Sequence, residues 1–413
     1  MRTRLSLLSA AAAAALTLGA CATSAPADGG QTADGTLKLG WLLPQTGPIA
    51  SLGPPQIAAL ELAEKDINDA GGVLGKKVEF VGGDEAGDPA VASQAVDRLL
   101  SQGVPAIIGA GSSQISLSVI GKITGANVVQ CSGMNTSPQL TDYPDNGYYF
   151  RTVPSDVLQG AVMGNLIAQD GATKVAILAR SDAYATGLAN TTEAKLKELG
   201  VQVVARVNYD PSAQNLTAEV RQVVDASPDA IVMFAFDEGA KLLQGLIQSG
   251  YGPDKVKTYG TDALPVASLP ELVDANNKAV LQGMKLTQAS SGENSPFTQR
   301  LLEYQPDLST TAFSPYFYDC AVIIALAAEQ AGSTEGPKIR DAIIGVTRDG
   351  TECGSFADCK KLISEGSDIA YVGAAGPLRF TDAGEPSTGL YDILQYDANG
   401  ATKTLDTVRE GTN

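Results

Sequence analysis

Short β-branched apolar runs alternate with amphipathic stretches along the chain after its first 35 residues. The stretch 55–72 illustrates the amphipathic type. Its residues Ile57, Leu60 and Ile67 recur at the three- to four-residue spacing of one helix face, and the pattern ends at Gly71. Strands that alternate with such helices are typical of a mostly parallel sheet covered by helices on both faces, so an α/β fold is predicted.

The pattern predicts two consecutive sets of βα units. The first set has strands over 37–44, 76–84, 106–110 and 127–132 and helices over 55–72, 89–103 and 113–124. The second set has helices over 155–169, 187–199, 214–226 and 238–249 and strands over 174–180, 201–209, 230–236 and 255–260. Two sets in series indicate two similar lobes, as the length of 413 residues also suggests.

Two later segments extend this pattern. The stretch 315–332 is the most apolar of the predicted helices and is therefore expected to be deeply buried. The stretch 391–408 alternates apolar and polar residues on both sides of Asn399 and Gly400, which predicts an antiparallel hairpin.

The composition argues against several classes of function. The net charge of −17 is expected to repel nucleic acid and anionic membrane surfaces. The chain contains no histidine, the usual general base near neutral pH and the commonest zinc ligand, so we expect neither an enzyme nor a metal site. Gly109 and Gly111 do not form a nucleotide fingerprint, because Gln114 stands where the third glycine is required, and no cofactor is expected.

The N-terminus is predicted to be an export signal over residues 1–20. Arg2 and Arg4 precede an apolar run that is too short for a stable membrane span. The small residues before Cys21 resemble the cleavage site of bacterial lipoproteins, which predicts a lipidated Cys21 and a flexible tether over 21–35. Such a protein is held at the outer face of the cell membrane or in the periplasm. Cleavage at an ordinary export site, with an incidental cysteine, is the alternative.

Four further cysteines remain, an even number in an exported chain. Cys353 and Cys359 lie close together in one loop and are predicted to form a disulfide. Cys131 and Cys320 either pair or remain as buried thiols.

Candidate ligand contacts follow the predicted strands, because ligands of open α/β sheets bind at the carboxyl ends of strands. In the first lobe these positions carry Ser113 and Thr136 beside helix starts, where hydroxyl and N–H groups suit a carboxylate. In the second lobe they carry Asp262, which suits an ammonium group, and the aromatic residues Tyr184 and Phe236. This division predicts a zwitterionic ligand held between two hinged lobes.

Each of these residues also has a purely structural alternative. Ser113 and its neighbour Ser112 are suited to cap a helix, as are Thr136 and the residue after it. Asp262 is suited to brace a turn, and Phe236 to fill a core.

Several longer segments resemble periplasmic solute-binding proteins of ABC transporters, of the type that includes the leucine/isoleucine/valine-binding protein. They include ELAEKDINDAGGVLGKKVEFVGGDEAGDP, VPAIIGAGSSQIS, NTSPQLTD, FRTVPSD, DAYATGLA, YGTDA and GPLRFTDAGE. The resemblance implies two αβα lobes joined by three crossovers, with the ligand in the cleft between them. On this basis we expect a first lobe of 36–153 plus 286–389 and a second lobe of 154–285 plus 390–413.

The resemblance also implies roles for single residues. Ser113, or its neighbour Ser112, and Thr136 correspond to hydroxyls that bind a ligand carboxylate in the family. Tyr184 corresponds to a cleft tyrosine, and Asp262 to the acidic residue that meets the ligand's amino group.

Some positions depart from the family pattern and are expected to alter the walls of the cleft. Leu52 stands where some members have an aromatic residue, and Met134 and Asn135 stand where small residues are usual. Asp262 is an aspartate in place of glutamate. An amino acid or amino-acid-like ligand is therefore favoured over a branched-chain one specifically.

The predicted function is that of a monomeric, lipid-anchored solute receptor that delivers its ligand to an ABC permease. Two alternatives remain within the same fold. One is a binder of amides, urea or aromatic acids, and the other is a sensory ligand-binding module.

Overall fold

The structure, a computed structural model, describes residues 35–290 and 295–411. The first lobe contains strands β1 (Lys38–Leu43), β2 (Glu79–Asp84), β3 (Ala106–Gly109), β4 (Val129–Ser132) and β5 (Tyr149–Arg151). They form one parallel sheet in the order β2-β1-β3-β4-β5. Helices α1 (Gly53–Asp69), α2 (Pro89–Ser101) and α3 (Ser113–Gly125) connect its first four strands.

The second lobe follows with another parallel βα series. Its strands are β6 (Lys174–Arg180), β7 (Gln202–Tyr209), β8 (Ala230–Phe234), β9 (Lys257–Thr261) and β10 (Lys285–Ala289). Its helices are α4 (Asp156–Gln169), α5 (Ala183–Glu198), α6 (Thr217–Asp225), α7 (Gly239–Gln248) and α8 (Leu269–Val273).

The chain then returns to the first lobe. This segment contains helices α9 (Pro296–Tyr304), α10 (Ser314–Ala331), α11 (Gly336–Ile343) and α12 (Phe356–Ser364). It also contains a small separate sheet of β11 (Thr351–Cys353), β12 (Ile369–Gly373) and β13 (Gly376–Pro377). Helix α10 packs along α1 and is buried over most of its length, as its apolar sequence predicts.

A last crossover leads to the antiparallel hairpin of β14 (Thr388–Tyr396) and β15 (Thr402–Gly411), which confirms the hairpin predicted from the sequence. Because β14 also pairs with β10, the second sheet has the order β15-β14-β10-β9-β8-β6-β7. The chain thus passes between the lobes three times. The predicted α/β fold with two lobes is confirmed.

Some predicted boundaries differ from the structure. Helix α5 begins at Ala183 rather than at 187, because the side chain of Asp182 caps it by accepting a hydrogen bond from the N–H group of Ala185 (2.8 Å). Strand β10 pairs with β9, so this segment of the second lobe extends to Ala289 instead of ending at 285. Strand β14 begins at Thr388, so the chain returns to the second lobe slightly before the predicted position 390.

Two disulfides join parts of the first lobe. Cys353 and Cys359 are bonded as predicted. Cys131 and Cys320 are bonded too, with their Cα atoms 5.8 Å apart, so that β4 is tied to α10. The packing of these two elements thus decides between the alternatives that the sequence left open.

Over residues 35–290 and 295–411, no helix combines the length and the apolar character needed to cross a membrane. The same ranges contain no group of three or more acidic or cysteine side chains arranged to hold a metal ion. The predicted export signal, Cys21 and the tether, apart from Gly35, lie outside the described residues.

Candidate functional site

A small cavity lies between the two lobes, at the carboxyl ends of strands from both sheets. The space in it that is open to the centre of a water molecule is about 20 Å³. One water needs roughly 10–15 Å³ by this measure, so the lobes enclose the cavity closely. The residues that line it are Leu52, Gly111, Ser112, Ser113, Met134, Thr136, Gln159, Tyr184, Phe236, Asp262, Ala263 and Phe313.

The start of α3 forms one wall in the first lobe. Ser112 occupies the N-cap position, but its hydroxyl makes no capping hydrogen bond. The buried carboxyl group of Glu85 accepts hydrogen bonds there instead, from the N–H groups of Gly111 (2.7 Å) and Ser112 (3.2 Å). The hydroxyl of Ser113 accepts one from the N–H group of Ser137 (3.3 Å). Glu85 therefore fixes the two residues that lead into α3, and the capping bond considered for Ser112 is not formed.

Thr136 lies in the loop after β4 and is buried against the same cavity. Its hydroxyl has no hydrogen-bond partner in the described part of the chain. Asp156 donates its N–H to the carbonyl of Thr136 (2.8 Å), and its own carboxyl oxygens also lack a partner among the described residues. Burial raises the pKa of Asp156, and the nearby hydroxyl of Thr136 lowers it in part. That hydroxyl makes no well-formed hydrogen bond with the described residues, so it can turn from Asp156 to a polar ligand group at little cost.

Asp262 is the acidic side chain of the opposite wall. Its Oδ2 accepts a hydrogen bond from the N–H group of Ala289 (2.9 Å), and its Oδ1 lies 3.5 Å from Nε2 of Gln159. Gln159 also donates to the carbonyl (3.2 Å) and the hydroxyl (3.1 Å) of Thr287. Burial raises the pKa of Asp262 to about 6, so the group is mostly ionised at neutral pH. Asp262 thus braces its loop and still presents a negative charge at the cavity.

Aromatic residues complete the wall of the second lobe. The rings of Tyr184 and Phe236 are stacked, with 5.6 Å between their centroids and an interplanar angle of 17°. The guanidinium group of Arg180 lies 3.7 Å from the centroid of Phe236. Salt bridges from Arg180 to Asp182 (2.5 Å) and Glu238 (2.9 Å) balance its charge. Phe236 is therefore fixed by both an aromatic ring and a cation.

Hydrogen bonds between the lobes hold the cavity closed. The N–H group of Ala183, at the start of α5, donates to Oε1 of Gln114 in the first lobe (3.1 Å). The hydroxyl of Ser137 donates to the carbonyl of Ala183 (2.9 Å). Both contacts join the first lobe to the same end of α5, so the structure shows the two lobes in a closed arrangement.

The structure brings all but one of the predicted contact residues to this cavity. Asn135 is the exception, because its amide donates to the carbonyls of Ala110 (3.0 Å) and Gly111 (2.7 Å), and its Oδ1 accepts from the hydroxyl of Tyr149 (3.1 Å). This fully buried side chain braces the loop after β3 from behind. The predicted residues that line the cavity are Leu52, Ser112, Ser113, Met134, Thr136, Tyr184, Phe236 and Asp262.

Several residues of the site were not predicted, and three of them are informative. Gln159 lies in the first turns of α4, away from any strand end that could mark it. Phe313 precedes α10 with a φ of 62°, an uncommon backbone conformation for a bulky residue and one that the sequence pattern does not indicate. Glu85 follows β2 directly, and this position at the carboxyl end of a strand is a signal that the sequence does contain.

The chain is similar to proteins of a known family. A family model described as periplasmic binding protein matches residues 36–377. A relative named Leu/Ile/Val-binding protein homolog 3, from Brucella melitensis, is 25% identical over 365 residues, which cover 87% of this chain and 91% of the relative. The chemotactic signal transduction system substrate-binding protein BasB of Halobacterium salinarum is 27% identical over 390 residues, or 91% of this chain and 90% of the relative.

Solved structures show the same fold. A leucine-binding protein from Thermotoga maritima matches with a TM-score of 0.76 and 22% identity, covering 90% of this chain and 99% of that protein. A solute-binding protein of an ABC transporter from R. palustris, in complex with 4-hydroxybenzoate, matches with a TM-score of 0.75 and 19% identity, covering 91% and 98%. The family model and the solved structures both match most of this chain. The chain belongs to the periplasmic binding protein family, whose members are solute-binding proteins.

Proposed function

We propose that this protein is an extracytoplasmic receptor that binds a small amino acid, or a similar zwitterion, between its lobes. The observation that supports the proposal is the opposition of unlike groups across one closed cavity. Asp262 of the second lobe faces the hydroxyl-bearing residues Ser113 and Thr136 of the first. A carboxylate suits an ammonium group, and hydroxyls beside a helix start suit a ligand carboxylate.

The dimensions of the cavity support a ligand with a small side chain. The space open to water centres is about 20 Å³, and Met134 and Phe313 occupy part of the wall. Because this space holds only one or two water molecules, any amino acid requires the lobes to stand further apart than they do here, and leucine requires a wider opening than alanine. We therefore expect alanine to bind with a smaller opening of the lobes than leucine, and more tightly.

A thermal-shift screen tests the proposal. The panel contains L-alanine, L-threonine, L-leucine, 4-hydroxybenzoate, acetamide and urea. A ligand that binds only the native state, present at 100 times its Kd, adds about 2.7 kcal/mol to the free energy of unfolding. L-Alanine is expected to raise the melting temperature, and acetamide, which has neither charged group, is expected not to. A panel in which no amino acid raises the melting temperature contradicts the proposal.

An aromatic acid is the second candidate ligand. The stacked rings of Tyr184 and Phe236 support it, as does the R. palustris structure, which holds 4-hydroxybenzoate. The substitution Asp262→Asn separates the candidates. It should strongly weaken binding of L-alanine, because the ammonium group loses its counter-charge, and should leave binding of 4-hydroxybenzoate unchanged or improved.

Delivery of the ligand to an ABC permease is the second part of the proposal. Uptake of radiolabelled L-alanine by cells with and without the gene tests it, with a chemotaxis assay on the same cells. Loss of uptake supports transport. Loss of chemotaxis with unchanged uptake supports the sensory alternative, which the similarity to the Halobacterium chemotactic protein favours.

Lipid anchoring and the monomeric state are the remaining parts. We expect the protein in the membrane fraction and Cys21→Ser in the soluble fraction, because the substituted chain has no sulfur to acylate. Light scattering of the soluble variant should give the mass of one chain.

A further inference from the structure

Gln56, in the first turn of α1, is a buried side chain whose amide group is poorly satisfied within the protein. The side chain has no exposed surface. Its nitrogen Nε2 donates to the sulfur atom of Met134 (3.2 Å), and its oxygen Oε1 has no hydrogen-bond partner among the described residues. A thioether is a weak acceptor, and a buried oxygen without a donor is unfavourable. Both ends of this amide can therefore gain from a better partner.

Two observations place Gln56 next to the cavity. It follows Leu52 by four residues, about one turn of helix, so the two side chains lie on the same face at the start of α1. Leu52 lines the cavity, as does Met134, whose sulfur accepts the bond from Gln56. The terminal methyl group of Met134 extends towards Gly111, another residue of the wall, and lies 3.4 Å from the position that a Cβ atom would occupy there. Met134 thus contacts Gln56 on one side and the cavity on the other.

Met134 is suited to move when a ligand enters. Its side chain is unbranched and has three rotatable bonds, so it can adopt another conformation more readily than a branched residue can. The closed cavity, with about 20 Å³ open to the centre of a water molecule, is too small for an amino acid. Rotation of Met134 enlarges the cavity on the side of Gln56 and gives up only the weak N–H···S bond. The amide of Gln56 then faces the ligand.

We propose that Gln56 determines specificity for the side chain of the ligand, and that this ligand is a small amino acid with a hydroxyl group, such as serine or threonine. The inference rests on the proposed function, in which Asp262 meets the ammonium group and Ser113 and Thr136 meet the carboxylate. With the ligand held at these points, its side-chain hydroxyl donates a hydrogen bond to Oε1 of Gln56.

The chemistry of this part of the wall favours a hydroxyl over other side-chain groups. A hydroxyl is the smallest group with which a side chain can donate to a carbonyl oxygen, and the cavity offers little room. Leu52, Met134 and Gln56 carry no charge, so they provide no counter-charge for a charged side chain. An alkyl side chain would leave Oε1 of Gln56 without a donor, as it is in the free protein.

Pairs of isosteric amino acids test the inference. L-Serine and L-2-aminobutyrate differ by a hydroxyl group in place of a methyl group, as do L-threonine and L-valine. Calorimetric titration of the wild-type protein gives the Kd of each. We expect the hydroxyl-bearing member of each pair to bind about tenfold more tightly, because its hydrogen bond satisfies an acceptor that is otherwise buried without a donor.

Gln56→Met removes the amide and retains a side chain of similar length. The preference for the hydroxyl-bearing member of each pair should vanish or reverse in this variant. Its melting temperature without ligand should be unchanged or raised, because an apolar group replaces a poorly satisfied amide. A purely structural role for Gln56 gives a different result, namely a lower melting temperature and equal weakening of both members of each pair.

Gln130→Met is the matched control. The Oε1 of Gln130 is also buried without a partner among the described residues. Its Nε2, however, donates to the carbonyl of Gly109 (2.9 Å) and lies 3.1 Å from the hydroxyl of Ser116, and neither of these residues lines the cavity. This variant should have a lower melting temperature and should keep the preference of the wild type.

Titration with L-alanine separates this inference from the proposed function. Binding of L-alanine, together with equal affinities within both pairs, overturns the inference and leaves the proposed function intact. A preference that persists in Gln56→Met overturns the assignment to Gln56. Absence of binding for all five amino acids rejects both. If Gln56→Met fails to fold, Gln56→Asn takes its place, and this shorter amide should reduce the preference.

Discussion

The two walls of the cavity differ in how their polar side chains are hydrogen-bonded. In the second lobe, Asp262 is bonded to Ala289 and Gln159, and the hydroxyl of Tyr184 lies 2.7 Å from that of Thr261. In the first lobe, the hydroxyl of Thr136 has no hydrogen-bond partner among the described residues. The charged group of the second lobe is thus already hydrogen-bonded, whereas the first-lobe wall keeps the hydroxyl of Thr136 without a hydrogen-bond partner among the described residues.

This difference follows from the cost of burying polar groups. A buried charge without partners costs several kcal/mol, so Asp262 requires its hydrogen bonds whether or not a ligand is present. A buried hydroxyl without a partner costs about 1–3 kcal/mol, which a ligand can recover by bonding to it. We infer that the second lobe fixes where the ligand's amino group sits and that the first lobe gains most from the carboxylate.

The largest effect is expected where the charged wall loses its charge. Asp262→Asn should weaken binding of L-alanine about 30-fold or more, because removing one partner of a buried, bonded charge pair costs roughly 2–5 kcal/mol. Calorimetric titration measures the change. Asp237→Asn is the control, since Asp237 lies just before α7 and does not line the cavity. Equal affinity of Asp262→Asn and the wild type would show that no ammonium group meets this wall.

Acid should weaken the same wall without any substitution. Protons compete with the ligand's ammonium group for Asp262, whose pKa is about 6, so affinity is retained above that pH and lost as the pH falls through it. Between pH 7 and pH 5 we expect the Kd for L-alanine to rise about tenfold. Fluorescence titrations over this range measure the profile. A Kd that does not change over this pH range would show that the ligand's ammonium group does not bind at Asp262.

A smaller effect is expected from the hydroxyl of the first-lobe wall that lacks a partner among the described residues. Thr136→Val should weaken binding of L-alanine about tenfold or somewhat more, because a hydrogen bond to a charged group contributes roughly 1.5–3 kcal/mol, and should leave the melting temperature of the free protein unchanged or raised. Thr192→Val is the matched control, because the hydroxyl of Thr192 is also buried and unpartnered among the described residues but does not line the cavity. A fall in melting temperature for Thr136→Val with unchanged affinity would show that this hydroxyl stabilises the free protein and does not bind the ligand.

The smallest effect is expected at the contacts that join the two walls. Gln114→Ala removes the acceptor for the N–H group of Ala183 and should weaken L-alanine binding only a few-fold, since one neutral hydrogen bond contributes about 0.5–1.5 kcal/mol. Small-angle scattering should show a larger radius of gyration for the unliganded variant than for Gln102→Ala, a substitution at the end of α2. Identical radii would mean that this contact does not hold the lobes together.

Much of the fold follows from local pattern. Periodicity located the strands and helices of both lobes, because burying one helix face or a buried strand imposes a repeat that can be seen in single segments. The same pattern placed Ser113, Thr136 and Asp262 after strands, and parallel strands end on one edge of a sheet. The sequence itself therefore determined the two-lobed architecture and which loops face the cleft.

The direction of each side chain within those loops was decided by tertiary structure. Asn135 and Thr136 are adjacent, yet one braces the loop after β3 and the other lines the cavity. Gln159 reaches the site from a helix, and Cys131 finds Cys320 across a separation of 189 residues. Glu85 meets Gly111 only because β1, which pairs with both β2 and β3, brings these two strand ends together. Such contacts depend on the packing of elements that are distant in the chain. The spacing of residues within one segment does not determine that packing.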